Sequence, residues 1–110
     1  MRLFGLKNCD TCRKAKKNLE AKGYFVTLVD VRNDNFEAAL IEAALAQFGD
    51  KLLNTRSTTW RGLSEQDRKR PVLELLAEYP ALMKRPLLER DGQMTLGWDS
   101  ATQAYWLNNA

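Results

Sequence analysis

Residues 2–31 read RLFGLKNCDTCRKAKKNLEAKGYFVTLVDV, and the fold follows from this stretch. Arg2 to Leu6 is short and partly apolar, which suits a β-strand. Asp10 to Lys22 has helical spacing. Cys12, Ala15 and Leu19 fall at i, i+3 and i+7 on one apolar stripe, with Arg13 and the lysines off it. Gly23 suits the left-handed position just past a helix end. Tyr24 to Val31 is rich in β-branched and aromatic residues and predicts a second strand. Strand, helix and strand in about thirty residues make a βαβ unit with parallel strands.

The middle of the chain is helical. Phe36, Leu40, Ala44, Leu45 and Phe48 predict an amphipathic helix that stops at Gly49-Asp50. Ser64 is expected to cap a helix start, with Leu63 as its hydrophobic staple. Pro71 suits a first helical position ahead of Val72, Leu73, Leu75, Leu76 and Tyr79, and Pro80 breaks or restarts that helix. Pro86 to Arg90 predicts a third strand. Asp91-Gly92 is the strongest hairpin signal, returning an antiparallel strand over Gln93 to Leu96. A last helix runs through Leu107, with Ser100 and Gln103 forming a capping box.

The order β-α-β, helical insert, β-β-α is that of an α/β, thioredoxin-like fold with a small mixed four-stranded sheet. We expect one domain over residues 1–110 with a helical insertion at about 35–83, a size that leaves little room for two domains.

Composition narrows the chemistry. The only cysteines are Cys9 and Cys12, and there is no histidine. Two neighbouring cysteines close too short a loop to staple a fold. A closed metal site lacks ligands, so no metal and no bound cofactor are expected. No segment approaches the ~18 unbroken apolar residues of a membrane span. The opening residues run into Lys7-Asn8 without an apolar stretch, so we expect no secretory signal and a cytoplasmic protein. The net charge of +3 is scattered in small clusters, which favours solvated helix faces over a nucleic-acid footprint.

Cys9-Asp10-Thr11-Cys12 is the sharpest feature. A thiol reacts as thiolate, and a helix N-terminus with its free N–H groups favours that anion. Cys9 is therefore the expected nucleophile, with Lys7, Arg13 and Thr11 as possible helpers at the sulfur. Cys12, one turn on and facing inward, is a candidate resolving thiol beside a second glutathione, its Cα about 5 Å away and within disulfide range. Arg85-Pro86 precedes the third strand; in this layout such a bond is often cis and faces the nucleophile. Arg85 and Arg56 are candidate anion-binding groups, because a guanidinium matches a carboxylate with two parallel bonds; Arg61 reads as surface. At Asp99-Ser100, helix N–H groups could take a carboxylate and Asp99 an amine, as the γ-glutamyl end of glutathione requires. Trp60, Trp98 and Trp106 read as packing residues.

Gly5 to Cys12, Leu52-Leu53-Asn54-Thr55-Arg56, Lys84 to Leu88 and Leu96-Gly97-Trp98 together resemble the ArsC/Spx family of arsenate-reductase-like proteins, closest to its short YffB branch. The resemblance covers nearly the whole chain. It implies that Cys9 matches the catalytic cysteine and that Arg85 matches the arginine before the cis-proline; Asn8, beside Cys9, is a candidate substrate-binding residue. Of the family's other oxyanion-holding arginines, one is offset, with Asn54 at the equivalent position and Arg56 nearby. The other would fall at Trp98. This departure argues against arsenate, a dianion that needs several convergent donors. The Spx side of the family binds RNA polymerase through a redox-switched CxxC; the scattered charge here does not argue for that partner. The short branch implies a glutathione-dependent thiol reductase, with glutathione as co-substrate and a thiol or disulfide as substrate.

Overall fold

The computed structural model describes residues 1–32 and 38–108. Phe36, placed in the first insert helix by its spacing, lies outside them. The chain divides into two compact units, Met1–Asp34 with Arg85–Ala110, and Asn35–Lys84.

The first unit is α/β. Strand β1 (Arg2–Gly5) leads to helix α1 (Asp10–Ala21) and strand β2 (Thr27–Asp30). Strands β3 (Leu87–Arg90) and β4 (Gln93–Leu96) and helix α6 (Ser100–Asn108) complete it. The sheet order is β2-β1-β3-β4. β1 runs parallel to β2, with Gly5 opposite Asp30, and antiparallel to β3. This is the mixed four-stranded sheet that the sequence predicts.

The core of this unit is the predicted stripe of α1, Cys12, Ala15 and Leu19, against Leu3, Val26, Leu88 and Trp106. Trp106 of α6 also makes directed contacts. Its Nε1 donates to Thr95 Oγ1 at 2.7 Å, and its carbonyl accepts from Tyr24 Oη at 2.7 Å. Asp91 (φ 51°) and Gly92 (φ 82°) turn the β3–β4 hairpin, both left-handed as a two-residue type I′ turn requires.

Three expectations shift. β2 starts at Thr27, not Tyr24, and Phe25 is 87 % exposed, so the aromatic run before it is an approach to the sheet. Ser100 does not cap α6. Asp99 is the cap: its Oδ1 accepts from the Thr102 N–H at 2.9 Å, while Gln103 Nε2 reaches back to the Trp98 carbonyl at 3.0 Å. Asp outcompetes Ser here because it stands one residue before the first helical one, where a side-chain acceptor meets the free N–H groups. α1 ends at Ala21, with Gly23 left-handed behind it.

The second unit is helical. Helix α2 (Ala38–Phe48) stops at Gly49 and passes into a 3-10 turn, Gly49–Leu52. Short helices α3 (Thr58–Arg61) and α4 (Glu65–Arg68) are capped by Ser57 and Ser64, whose hydroxyls accept from the Trp60 and Asp67 N–H groups. The Ser57 cap was not anticipated. Helix α5 (Val72–Glu78) packs on α2 and buries Leu75 and Leu76. Pro71 stands as its N-cap, one residue outside the expected position. Pro80 opens a 3-10 turn, Pro80–Leu82.

Candidate functional site

The site forms where β1 hands the chain to α1. Cys9 is the N-cap of α1, extended at φ −87° and ψ 118°. Its N–H donates to the Leu6 carbonyl at 3.1 Å, and its carbonyl accepts the Arg13 N–H at 3.0 Å. The sulfur therefore stands where the helix presents its free N–H groups.

Partial burial opposes the Cys9 thiolate, but the pKa is nonetheless lowered from the ordinary 9.0. The backbone N–H of Cys12 and the Cys12 thiol favour the anion first, although the geometry stops short of a full side-chain cap. The Arg85 guanidinium adds its charge and a hydrogen bond. Cys12 goes the other way. It is 1 % exposed, and burial together with the neighbouring Cys9 pushes it up to about 12. Both thiols are free. One thiol is poised to ionise while the other holds its proton.

Arg85 is half-buried and Pro86 is buried, and the peptide bond between them is cis. The Gly97 N–H donates to the Pro86 carbonyl at 2.9 Å, tying this corner to the end of β4. Trp98 is half-buried against the core.

The flanking candidates sit differently. Lys7, Asn8 and Thr11 are exposed. Among the described residues the Lys7 ammonium makes no ion pair or hydrogen bond, and its backbone N–H binds Asp30. Arg13 pairs with Asp10 along the helix surface. The charge support for Cys9 thus comes from Arg85, not from Lys7 or Arg13 as expected. Asp99 and Ser100 are exposed at the start of α6, one Asp99 oxygen already engaged as the cap.

Arg56 belongs to the second unit. There it lines a groove of about 610 Å³ with Asp50, Lys51, Leu53, Asn54, Thr55 and Lys84. Its N–H donates to Asn54 Oδ1 at 3.2 Å. Two residues of the first unit escaped the sequence reading. A Cβ on Gly5 would meet Cys12 Sγ at 2.4 Å, so only glycine lets β1 pass that thiol. Asp30 is a buried carboxylate (3 % exposed) at the end of β2. Its signal was a charge on the strand face that carries Val26 and Leu28.

A mixed four-stranded sheet, a cysteine capping the first helix and a cis-proline before the third strand define a thioredoxin-like domain. Residues 4–104 match the ArsC family, and the chain belongs to it. It is 42 % identical over 102 residues to an uncharacterized Haemophilus influenzae protein, covering 88 % of this chain and 90 % of that one. It is 29 % identical over 102 residues to the Bacillus subtilis regulatory protein MgsR, covering 87 % and 81 %. Among solved structures, a YffB protein superposes with a TM-score of 0.87 at 28 % identity, covering 96 % of this chain and 97 % of that one. An arsenate reductase (ArsC) related protein from Brucella melitensis gives 0.73 at 34 % identity, covering 96 % and 92 %. Family membership points to thiol-based redox or arsenate-reductase-like chemistry. Among the described residues no helix is long and apolar enough to cross a membrane.

Proposed function

We propose that the protein is a cytoplasmic, glutathione-dependent thiol-disulfide reductase with Cys9 as its nucleophile. The observation that carries this reading is the Cys9 thiol at the start of α1, its pKa lowered beside Cys12 and Arg85. Exchange is fastest when the attacking thiol titrates near ambient pH, so a modest lowering is enough and no histidine base is required.

In the proposed cycle the Cys9 thiolate attacks the glutathione sulfur of a mixed disulfide. The substrate S–S bond breaks, and the substrate thiolate leaves and takes a proton. Cys9 now carries glutathione in a new disulfide. A second glutathione thiolate attacks the glutathione sulfur of that bond, releasing oxidised glutathione and restoring the Cys9 thiolate. Glutathione is the better resolving group, because Cys12 is buried and that burial favours its protonated, unreactive form. Arg85 takes a glutathione carboxylate, and the α6 start at Asp99-Ser100 is the proposed seat of the γ-glutamyl end.

The test is turnover of a glutathione mixed disulfide with glutathione, in wild type, Cys9→Ser and Cys12→Ser. The reading expects turnover in wild type, none in Cys9→Ser and most of it kept in Cys12→Ser. An inactive wild type would remove it. A second reading, a redox-sensing regulator that binds RNA polymerase, draws on the likeness to MgsR. It expects a stable Cys9–Cys12 disulfide without turnover. Arsenate reduction is the third, and the half-buried Trp98 in place of an arginine counts against it.

A further inference from the structure

β1 ends at Gly5 and α1 begins at Asp10, so residues 6–9 alone must place the Cys9 thiol. One side chain from outside that turn holds it. Asp30, the last residue of β2, lies opposite Gly5 in the parallel pair. Its Oδ2 accepts the Lys7 N–H at 3.3 Å and its Oδ1 accepts the Arg32 N–H at 2.9 Å. On the far side of Asn8 the Cys9 N–H donates to the Leu6 carbonyl. The turn is thus fixed on both sides of Asn8, once from within and once by Asp30.

A buried carboxylate costs several kcal/mol unless it is well bonded. An apolar residue would have continued the Val26 and Leu28 face into the core without that cost. A local rule broken in this way marks a functional position more often than a packing one. We propose that Asp30 is a positioning residue, holding the Lys7-Asn8 turn so that Cys9 sits at the start of α1 within reach of Arg85. The proposal rests on the reading of Cys9 as the reacting thiol.

The direction of the effect is diagnostic. Cys12 and Arg85 face the Cys9 sulfur, and the Asp10–Arg13 pair and Lys7 flank it. As a bare negative charge, Asp30 would raise the Cys9 pKa, and removing it would lower that pKa. As the anchor of the turn, its removal lets Cys9 drift from the helix N–H groups and Arg85, and the pKa rises.

The experiment measures iodoacetamide alkylation of Cys9 against pH, mapped by mass spectrometry, in wild type, Asp30→Ala and Asp30→Asn. The expected midpoint rises in both variants, less in Asp30→Asn, which keeps one acceptor. At pH below the wild-type midpoint the alkylation rate falls by roughly three- to tenfold in Asp30→Ala, since one pKa unit is tenfold in thiolate. An unmoved or lowered midpoint overturns the proposal, whatever happens to the melting temperature. Should the variants fail to fold, amide exchange in wild type decides: Lys7 N–H is expected to be slowed, and exchange at the unprotected rate overturns it. Alkylation needs no glutathione turnover, so failure of the reductase reading would show separately, as an inactive wild type that still alkylates at low pH.

Discussion

A Cβ on Gly5 would stand 2.4 Å from Cys12 Sγ, closer than a real Cβ comes to any neighbour. The inner thiol of the pair therefore depends on a missing side chain in the strand beneath it. Gly5→Ala is expected to destabilise the wild type by about 1–3 kcal/mol, the usual range for overpacking. In a Cys12→Ala background, with the sulfur gone, the same substitution is expected to cost less than about 1 kcal/mol. Urea unfolding of the four proteins in the cycle checks this. Equal costs in both backgrounds would mean that Gly5 does not answer to Cys12.

Arg85→Ala is expected to raise the Cys9 pKa without restoring an ordinary thiol, because the Cys12 N–H and thiol remain. Arg85→Lys keeps the charge and loses the planar fork, so it should fall between. Absorbance of the thiolate at 240 nm against pH reads all three. An unchanged titration in Arg85→Ala would take Arg85 out of the site.

The two thiols act on stability in opposite directions. Cys12 is raised from 9.0 to about 12, so between these values the folded state keeps a proton that the unfolded chain has lost. Its contribution is full below pH 9 and falls as pH rises toward 12. Cys9 is lowered, so its contribution is full above pH 9.0 and is lost as pH falls through its folded value. Unfolding midpoints of wild type and Cys12→Ala, followed from pH 8 to 12, should converge as pH rises. Parallel curves would contradict the Cys12 assignment.

Trp106 is 4 % exposed and engages Thr95 and Tyr24 as well as the core. Trp106→Ala is expected to cost about 3–5 kcal/mol, the range for removing a large buried aromatic. Trp106→Phe keeps most of the packing but orphans Thr95 Oγ1, and should cost clearly less. Thermal unfolding distinguishes the two.

Much of the first unit was legible because its signals are local and periodic. The Cys12-Ala15-Leu19 stripe gives α1 its buried face, and Asp91-Gly92 gives the hairpin because few other residues accept two left-handed positions. Cys9 could be read from its place between a strand and a helix. What was not legible depends on one-residue register or on partners distant in sequence. Asp99 and Ser100 are both good caps, and only the helix start at Ser100 chooses between them. Ser57 caps a helix of four residues, too short for a periodic pattern. Asp30 meets Lys7 across 23 positions, and Gly5 meets Cys12 only once α1 folds back over β1. Arg56 was grouped with Arg85 as an anion binder by residue type, a grouping that spacing cannot test.

Peptide-mapped alkylation of the wild-type protein across pH 5 to 12 tests the ordering of the two thiols. Cys9 is expected to be labelled first, with a midpoint below 9.0, and buried Cys12 only at pH above 9.0. A Cys9 midpoint at or above 9.0, or labelling of Cys12 before Cys9, would contradict that ordering.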